Sequence, residues 1–470
     1  MSVIDLTVRS APTPSERSLS GWGRTTRSRC RVFEVGHPAD VEALVAERPH
    51  GEGVIARGAG RSYGDAAQNG GGDVLDTTGL DRVIAIDGER ATVTAQAGAT
   101  IAQLMTRLAA HGLGLPVVPG TRHVTLAGAI ASDIHGKNHH RDGGFARHVL
   151  ALKLCTPAGG VVELSPQSDP DLFYATFGAM GLTGVVLEAT LRAEQLGSAW
   201  VAADVDRTDS LAETLALLSG EERHRYSVAW LDLLAAGRNM GRAIVSRADP
   251  MPAGADPRGR RARRAYPGTL SKPPALVVPD GFPAALLRPA SMRAFNELRW
   301  HASPRRERGR PLPLAPYFFP LDALGGWNRL YGPAGLIQYQ FAIPLGREDA
   351  LEACFELIAR RRLPVYLAVF KRFGAAFGGP LSFPLEGWTL AADMPAAAPG
   401  VHATLDELDE LVAGCGGRVY LSKDARLRSE LLGAMYPGLE RFQALRAKAD
   451  PDGVMRSDLG RRLGLCGSGA

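Results

Sequence analysis

The chain has 470 residues, 45% of them hydrophobic, 22% charged and 7% aromatic, with a formal net charge of +5. That is enough for a large core in two or more domains, and the mild positive balance favours anionic ligands. No RNP-like aromatic motif, zinc-finger spacing or basic zipper occurs, which argues against nucleic-acid binding, and five scattered cysteines without a C-x-x-C pair argue against a disulfide framework or a structural zinc site.

The first twenty residues, rich in Ser, Pro and Arg, read as a disordered lead without the apolar core of a signal peptide. No apolar run reaches the ~18–20 residues that span a bilayer. The expectation is a protein without a transmembrane segment, cytoplasmic or peripherally attached to the inner membrane.

From Gly21 to Arg192 short β-type runs dominate. "GVIARG" reads as a strand running into "ARGAGRSYGDAAQNGGG", residues 56–72. Its glycines free the backbone so that several N–H groups can converge on an anion. The spacing is G-x-G-x-x-x-G with no amphipathic helix behind it, so a Rossmann loop is rejected, and no G-K-[ST] closes a Walker A loop. A tight turn in a β domain is the structural alternative. "DRVIAID" and "ATVTAQAG" read as a hairpin, as do "VLALKLC" and "GVVELS". Between them Ile101, Leu104, Met105 and Leu108 make one helical face, with Thr100 and Gln103 spaced as a capping box. Asp169-Pro170 opens a further short helix.

"PGTRHVTLAGAIASDIHGKNHH", residues 119–140, brings small residues and then His135, Lys137, Asn138, His139 and His140. His135 and His139 have i, i+4 spacing, but Gly136 disfavours a helix and no H-E-x-x-H occurs, so no metal is expected. A cofactor contact suits His135, while His139 and His140 stay open between structural and functional roles. "GAMGLTGVV", residues 178–186, again offers close backbone before an apolar run.

Beyond Gln195, a helix is expected near 210–218, then the aromatic-marked "RYSVAWLDLL". Residues 249–314, dense in Pro and Arg, read as mobile surface loops. A helix near 349–361, the strand "PVYLAVFKRFG", a helix opened by Thr404 and Glu407, and a strand "GGRVYLSKDAR" carrying Tyr420 and Lys423 complete the chain. Gln338, Gln340 and Lys371 are polar groups inside apolar runs, so they face either a site or solvent.

In order along the chain, "GWGR", the 56–72 and 119–140 stretches, "GLTG", "GGWNRLYGPAGLIQYQF", "VFKRFG", "PLSFPLEGW", "GGRVYLSKDAR" and "MYPGLERFQALRAKADP" resemble the vanillyl-alcohol oxidase-type flavin oxidases. Within these they resemble the decaprenylphosphoryl-β-D-ribose 2-oxidase family, to which "DIHGKNHH" and "SKDAR" are specific. The resemblance implies an α+β, two-domain FAD-binding fold of the PCMH type. The FAD domain would comprise residues 21–195 and 416–470, with an antiparallel-sheet substrate domain at 196–415. It implies non-covalent FAD, with the diphosphate cradled by Arg57, Gly58, Gly60, Arg61, Ser62, Tyr63 and Gly64. Gly120, Thr125, Gly128, Asp133, His135, Gly136, Val186 and Tyr420 would line the cofactor.

Lys137, Trp230, Gln338, Gln340, Lys371 and Lys423 would meet the substrate, with Lys423, Tyr420 and His135 as catalytic residues. The implied activity is oxidation of a polyprenyl-phosphoryl-β-D-ribose at C2, with hydride passing to flavin N5. This is the first half of an epimerisation that gives an arabinose donor for cell-wall arabinan. An NADH-dependent 2-keto-sugar reductase would be the partner. Lys423 has two open roles, general base or electrostatic partner of the reduced flavin. The alternatives are an alditol or aldonolactone oxidase using dioxygen and a non-catalytic subunit that kept the fold. Three departures stand out: Ala127 where the family often has glycine, Phe318 and Phe319 where relatives place Tyr and His, and Ala391 where many members carry cysteine. The last implies resistance to inhibitors that trap that thiol.

Overall fold

Alternating apolar residues build three large sheets, beside two short two-stranded ones, in this computed structural model, which is described for residues 12–47, 52–220, 223–235, 237–252, 273–283 and 287–466. In the first, Ser28–Glu34, Asp73–Asp76 and Val54–Arg57 pair in parallel, and Ser15–Leu19 joins antiparallel at the edge. Residues 15–19 are thus a strand, which corrects the expectation of a disordered lead there. Four of the five are exposed, so nothing in their polarity announces a strand that the backbone ladder holds at a sheet edge. Residues 1–11 lie outside the described residues.

The second sheet contains both expected hairpins, Val83–Asp87 with Thr92–Gln96 and Val149–Thr156 with Gly160–Leu164, joined through Val185–Arg192. Helix Ile101–Ala110 buries the four apolar residues of its predicted face and closes the Thr100/Gln103 capping box. Asp169 caps Pro170–Ala175. The C-terminal segment returns to the first sheet. Val54 bridges Met455, and Arg462 pairs with Asp65 at 2.8 Å.

The third sheet has eight antiparallel strands: Arg306–Pro313, Trp200–Thr208, Ala243–Pro250, Tyr226–Leu231, Leu367–Phe373, Gly387–Pro395, Leu336–Pro344 and Arg418–Val419. One face buries Tyr339, Phe341, Phe370 and Leu390 in a core shared with helices Glu348–Arg360 and Val401–Gly414. Because side chains alternate along a strand, the opposite face carries a different set. Its register aligns Trp230, Val369, Ala391 and Gln340 in one row, and Leu367, Asp393 and Gln338 in the next.

Two further expectations are corrected. Within 249–314, read as loops, helix Pro289–Ala302 and strand Arg306–Pro313 form. The strand lies at the sheet edge, where proline is tolerated, and only Asn296 of the helix is buried, bonding Asp232 at 2.7 Å. The basic stretch 256–268 lies outside the described residues. Thr404 does not cap its helix, which begins a turn earlier, after Gly400; the Thr404 hydroxyl instead donates back to the Gly400 carbonyl at 2.9 Å. Among the described residues no helix is long and apolar enough to cross a membrane.

Candidate active site

The 57–64 loop leaves its parallel strand and turns over the N-terminus of helix Leu126–Ala131. A side chain at Gly58 would place its Cβ 2.2 Å from the Thr125 hydroxyl, which accepts from the Gly128 amide and caps that helix. Gly60 has φ +62°, open to glycine without strain. The loop is therefore held tight against the helix start. Gly58, Gly60, Arg61, Ser62 and Tyr63 line a cavity of about 450 Å³, and Gly120, Thr125 and Gly128 continue the wall. The Arg61 guanidinium lies 4.1 Å above the Trp22 ring, and its buried Nε has no hydrogen-bond partner among the described residues. Val186 lines the cavity beside Gly184 and Met180.

The cavity is also lined by the face of the eight-stranded sheet that turns away from the helices. Gln338 and Gln340, Leu367, Val369 and Lys371, and Ala391 enter it from three adjacent strands, joined by Tyr420 and Lys423. Strand pairing stops at Val419, so Tyr420 and Lys423 sit in the turn beyond it rather than in the strand expected there. The Tyr420 amide still donates to the Gln340 carbonyl at 2.9 Å. Its hydroxyl donates to the Ser132 carbonyl at 2.8 Å, and its ring stacks on Phe383 with centroids 4.5 Å apart. Tyr420 is thereby pinned on both sides.

His135 sits among Phe373, Phe383 and Tyr420, with ring centroids 4.7–5.9 Å away. Burial and then the Lys371 charge hold its pKa well below the usual histidine value, so it is neutral. Lys371 Nζ lies 3.0 Å from Nδ1 and the Gln340 amide 3.0 Å from Nε2. The Gln340 contact is its amide nitrogen, which donates into His135 Nε2, so the neutral imidazole carries its one proton on Nδ1 and turns it to the free amine of Lys371. Burial, then Lys137 and Lys423, lowers the Lys371 pKa to about 7, and burial lowers that of Lys137 to about 8. Lys423 is likewise lowered by burial and partly restored by Asp393, with its ammonium 3.9 Å from the Tyr63 ring centroid.

Six expected residues stand outside this lining. The Arg57 guanidinium donates to the Ser20 and Ala67 carbonyls and braces the loop, and Gly64 packs on the Asp424 carbonyl. Asp133 is fully buried behind the wall, accepts the Ala146 amide at 3.1 Å, and is raised by burial to about 6. Gly136 presents its carbonyl to Lys371 at 3.4 Å. Lys137 donates to the Phe318 carbonyl at 3.0 Å, beside the Tyr317 and Phe318 rings. Trp230 shares the row of Val369 and Ala391, but the Arg299 guanidinium covers it at 5.0 Å. His139 accepts the Gly374 amide at 3.2 Å and packs on Phe373, and His140 meets the His224 carbonyl at 3.0 Å. Both histidines tie this loop to its surroundings. Sequence reasoning missed Asp393. It stands two residues from Ala391 in the same strand, and period-two alternation is the signal that places it on the cavity face.

Residues 31–165 match the model of the FAD binding domain family. The chain is 42% identical over 464 residues to decaprenylphosphoryl-beta-D-ribose oxidase of Mycolicibacterium smegmatis, covering 97% of this chain and 98% of that protein. It is 43% identical over 364 residues to an uncharacterized protein in the mprA 5' region of Streptomyces coelicolor, covering 75% of this chain and 96% of that one. To L-gulono-1,4-lactone dehydrogenase of Mycobacterium tuberculosis it is 27% identical over 435 residues, covering 90% and 93%. The site fits FAD on its own geometry. The glycine loop and the Arg61 guanidinium, with its Nε free of partners among the described residues, suit a diphosphate, and the small, apolar wall at Gly128, Gly184 and Val186 suits a flat ring.

Proposed function

The chain belongs to the decaprenylphosphoryl-β-D-ribose oxidase family and is an FAD-dependent oxidoreductase, and from that premise we propose that it oxidises the C2 hydroxyl of a polyprenyl-phosphoryl-β-D-ribose to the 2-keto sugar. The observation that carries this reading is the pair of half-buried lysines that line the cavity, Lys371 and Lys423, with the charge of Lys137 close behind Lys371. The substrate's phosphate is on the carbon next to the reacting one, so a cationic surround at the reaction centre suits it.

FAD would be held by the 58–63 loop, the 120–128 wall and Val186, and when bound it supplies the two-electron acceptor that takes hydride from the substrate carbon. The residues of the chain manage the proton and the orientation. Lys423, whose free amine is favoured by burial, accepts the proton of the reacting hydroxyl. Neutral His135, fixed between Lys371 and Gln340, presents a polar edge without adding a charge. Lys371 attracts the phosphate, with Lys137 adding its charge from behind the wall, and Gln338 and Gln340 orient the sugar by hydrogen bonds. Tyr420, pinned by Ser132 and Phe383, keeps that part of the cavity rigid and dry. The FAD domain in this reading comprises residues 21–195 and 416–470, and the substrate domain residues 196–415.

A 2-keto product requires a reductase to complete an epimerisation, so an NADH-dependent reductase is the partner. The water-insoluble polyprenyl tail requires the enzyme to meet its substrate at a membrane surface, as a peripheral protein. FAD is held without a covalent bond, so acid precipitation should leave the yellow colour in the supernatant. The deciding test is anaerobic bleaching of the purified yellow protein by a short prenyl-phosphoribose analogue. Bleaching supports the reading, and inertness overturns it. The likeness to a lactone dehydrogenase motivates a second reading, oxidation of soluble sugars or aldonolactones with dioxygen. Turnover of those compounds with no response to the prenyl-phosphoribose would favour it.

A further inference from the structure

Behind the cavity wall lies a carboxyl group that the reaction scheme above does not use. Asp393 has no exposed surface. It belongs to the cavity face of strand Gly387–Pro395, in the cross-strand row that it shares with Leu367 and Gln338. One carboxyl oxygen accepts the Gln338 side-chain amide, and the other, Oδ2, has no hydrogen-bond partner among the described residues. A buried carboxyl oxygen without a donor is costly unless something charged faces it. Lys423, which enters the cavity from the turn after Val419 with its ammonium over the Tyr63 ring, is the cation whose charge acts on it. The other titratable groups facing this carboxyl are the phenols of Tyr63, from the 57–64 loop, and Tyr331, both disfavoured as phenolates by burial and then by Asp393.

The geometry points to Asp393 as a positioning residue that acts through Lys423 and Gln338: its carboxylate sets when Lys423 is protonated and fixes the amide that Gln338 turns to the substrate. This rests on the proposed reaction, in which Lys423 meets the sugar hydroxyl. Two further features support it. Burial raises the Asp393 pKa and lowers that of Lys423, so the pair exchanges charge in the range where the enzyme would work. In addition, Gln338 is committed to Asp393 on one side and open to the cavity on the other.

The electrostatic consequence has one sign. A carboxylate beside Lys423 favours its ammonium form, so removing the charge makes the lysine a weaker base. In Asp393→Asn, the limb of the pH profile of anaerobic flavin bleaching that reports Lys423 should move to lower pH. Affinity for the prenyl-phosphoribose analogue, read from the perturbed flavin spectrum, should fall only a few fold. Asp393→Glu, which keeps the charge, should return the limb toward its wild-type position. A role confined to packing would lower stability and leave the limb where it was.

Bleaching of the wild type with unmoved limbs in Asp393→Asn overturns this role and leaves the proposed reaction standing. An inert wild type overturns the reaction and this role with it. If neither variant can be obtained as folded yellow protein, Asp393 serves stability alone and the proposal fails.

Discussion

Lys371 Nζ lies 3.0 Å from His135 Nδ1, so a half-buried lysine and a half-buried histidine share one hydrogen bond at the cavity wall. Burial, then Lys137 and Lys423, brings the lysine down from 10.5 to about 7. Between those values the unfolded chain carries a proton at this position that the folded chain does not, so stability falls as pH drops from 10.5 toward 7. Lys371→Met removes that penalty. We expect the variant to melt above the wild type at pH 7, with the gap closing as pH rises toward 10.5. The gain is bounded at about 5 kcal/mol, from about 1.4 kcal/mol per tenfold change in proton affinity. Affinity for the phosphorylated sugar should fall at the same time. Scanning calorimetry across pH and titration with the analogue check the two halves.

Lys423 is the residue on which the chemistry turns. Lys423→Ala should keep its flavin and its fold but bleach ~10²–10⁴-fold more slowly with the prenyl-phosphoribose analogue, the usual range for a positioned proton acceptor. Stopped-flow reduction without oxygen measures this directly. Equal rates in variant and wild type would remove Lys423 from the mechanism.

Ala391 lines the cavity in the row between Val369 and Gln340, and all five cysteines of the chain are buried elsewhere. A thiol-reactive reagent sized for the cavity should therefore leave no adduct on residues 387–395 of the wild type and should label Ala391→Cys at that residue. Peptide mass spectrometry distinguishes the two, and a wild-type adduct in the cavity would contradict the lining described above.

At Gly58 a methyl group would stand 2.2 Å from the Thr125 hydroxyl. Gly58→Ala must push that hydroxyl off the Gly128 amide or shift the loop, at a cost of about 1–3 kcal/mol for overpacking. The purified variant should carry less flavin than the wild type, measured as visible absorbance per protein, with a lower melting temperature. Full flavin content would show that the loop yields more easily than its contacts indicate.

Local pattern determined much of this protein. Apolar spacing and the Thr100/Gln103 box placed helix Ile101–Ala110, and alternation with glycine turns placed both hairpins. These features are written within a dozen residues, where backbone sterics and side-chain period decide the outcome. The glycine loop, His135 and the lysines were legible as chemistry because polar and small residues interrupt apolar runs there. What pattern could not reach was anything decided by distant partners. The strand at 15–19 exists through a ladder to 28–32, and the strand at 306–313 through the sheet edge it lies on. Lys137 turns to the Phe318 carbonyl, 181 residues away, rather than into the cavity. Asp393 bonds Gln338 and feels the charge of Lys423 only because two strands and a turn converge from separate parts of the chain. A sequence records which side chains can hydrogen-bond or carry charge. Which of them lose water and meet each other is settled by long-range register and burial, and here those set the protonation states on which the proposed chemistry depends.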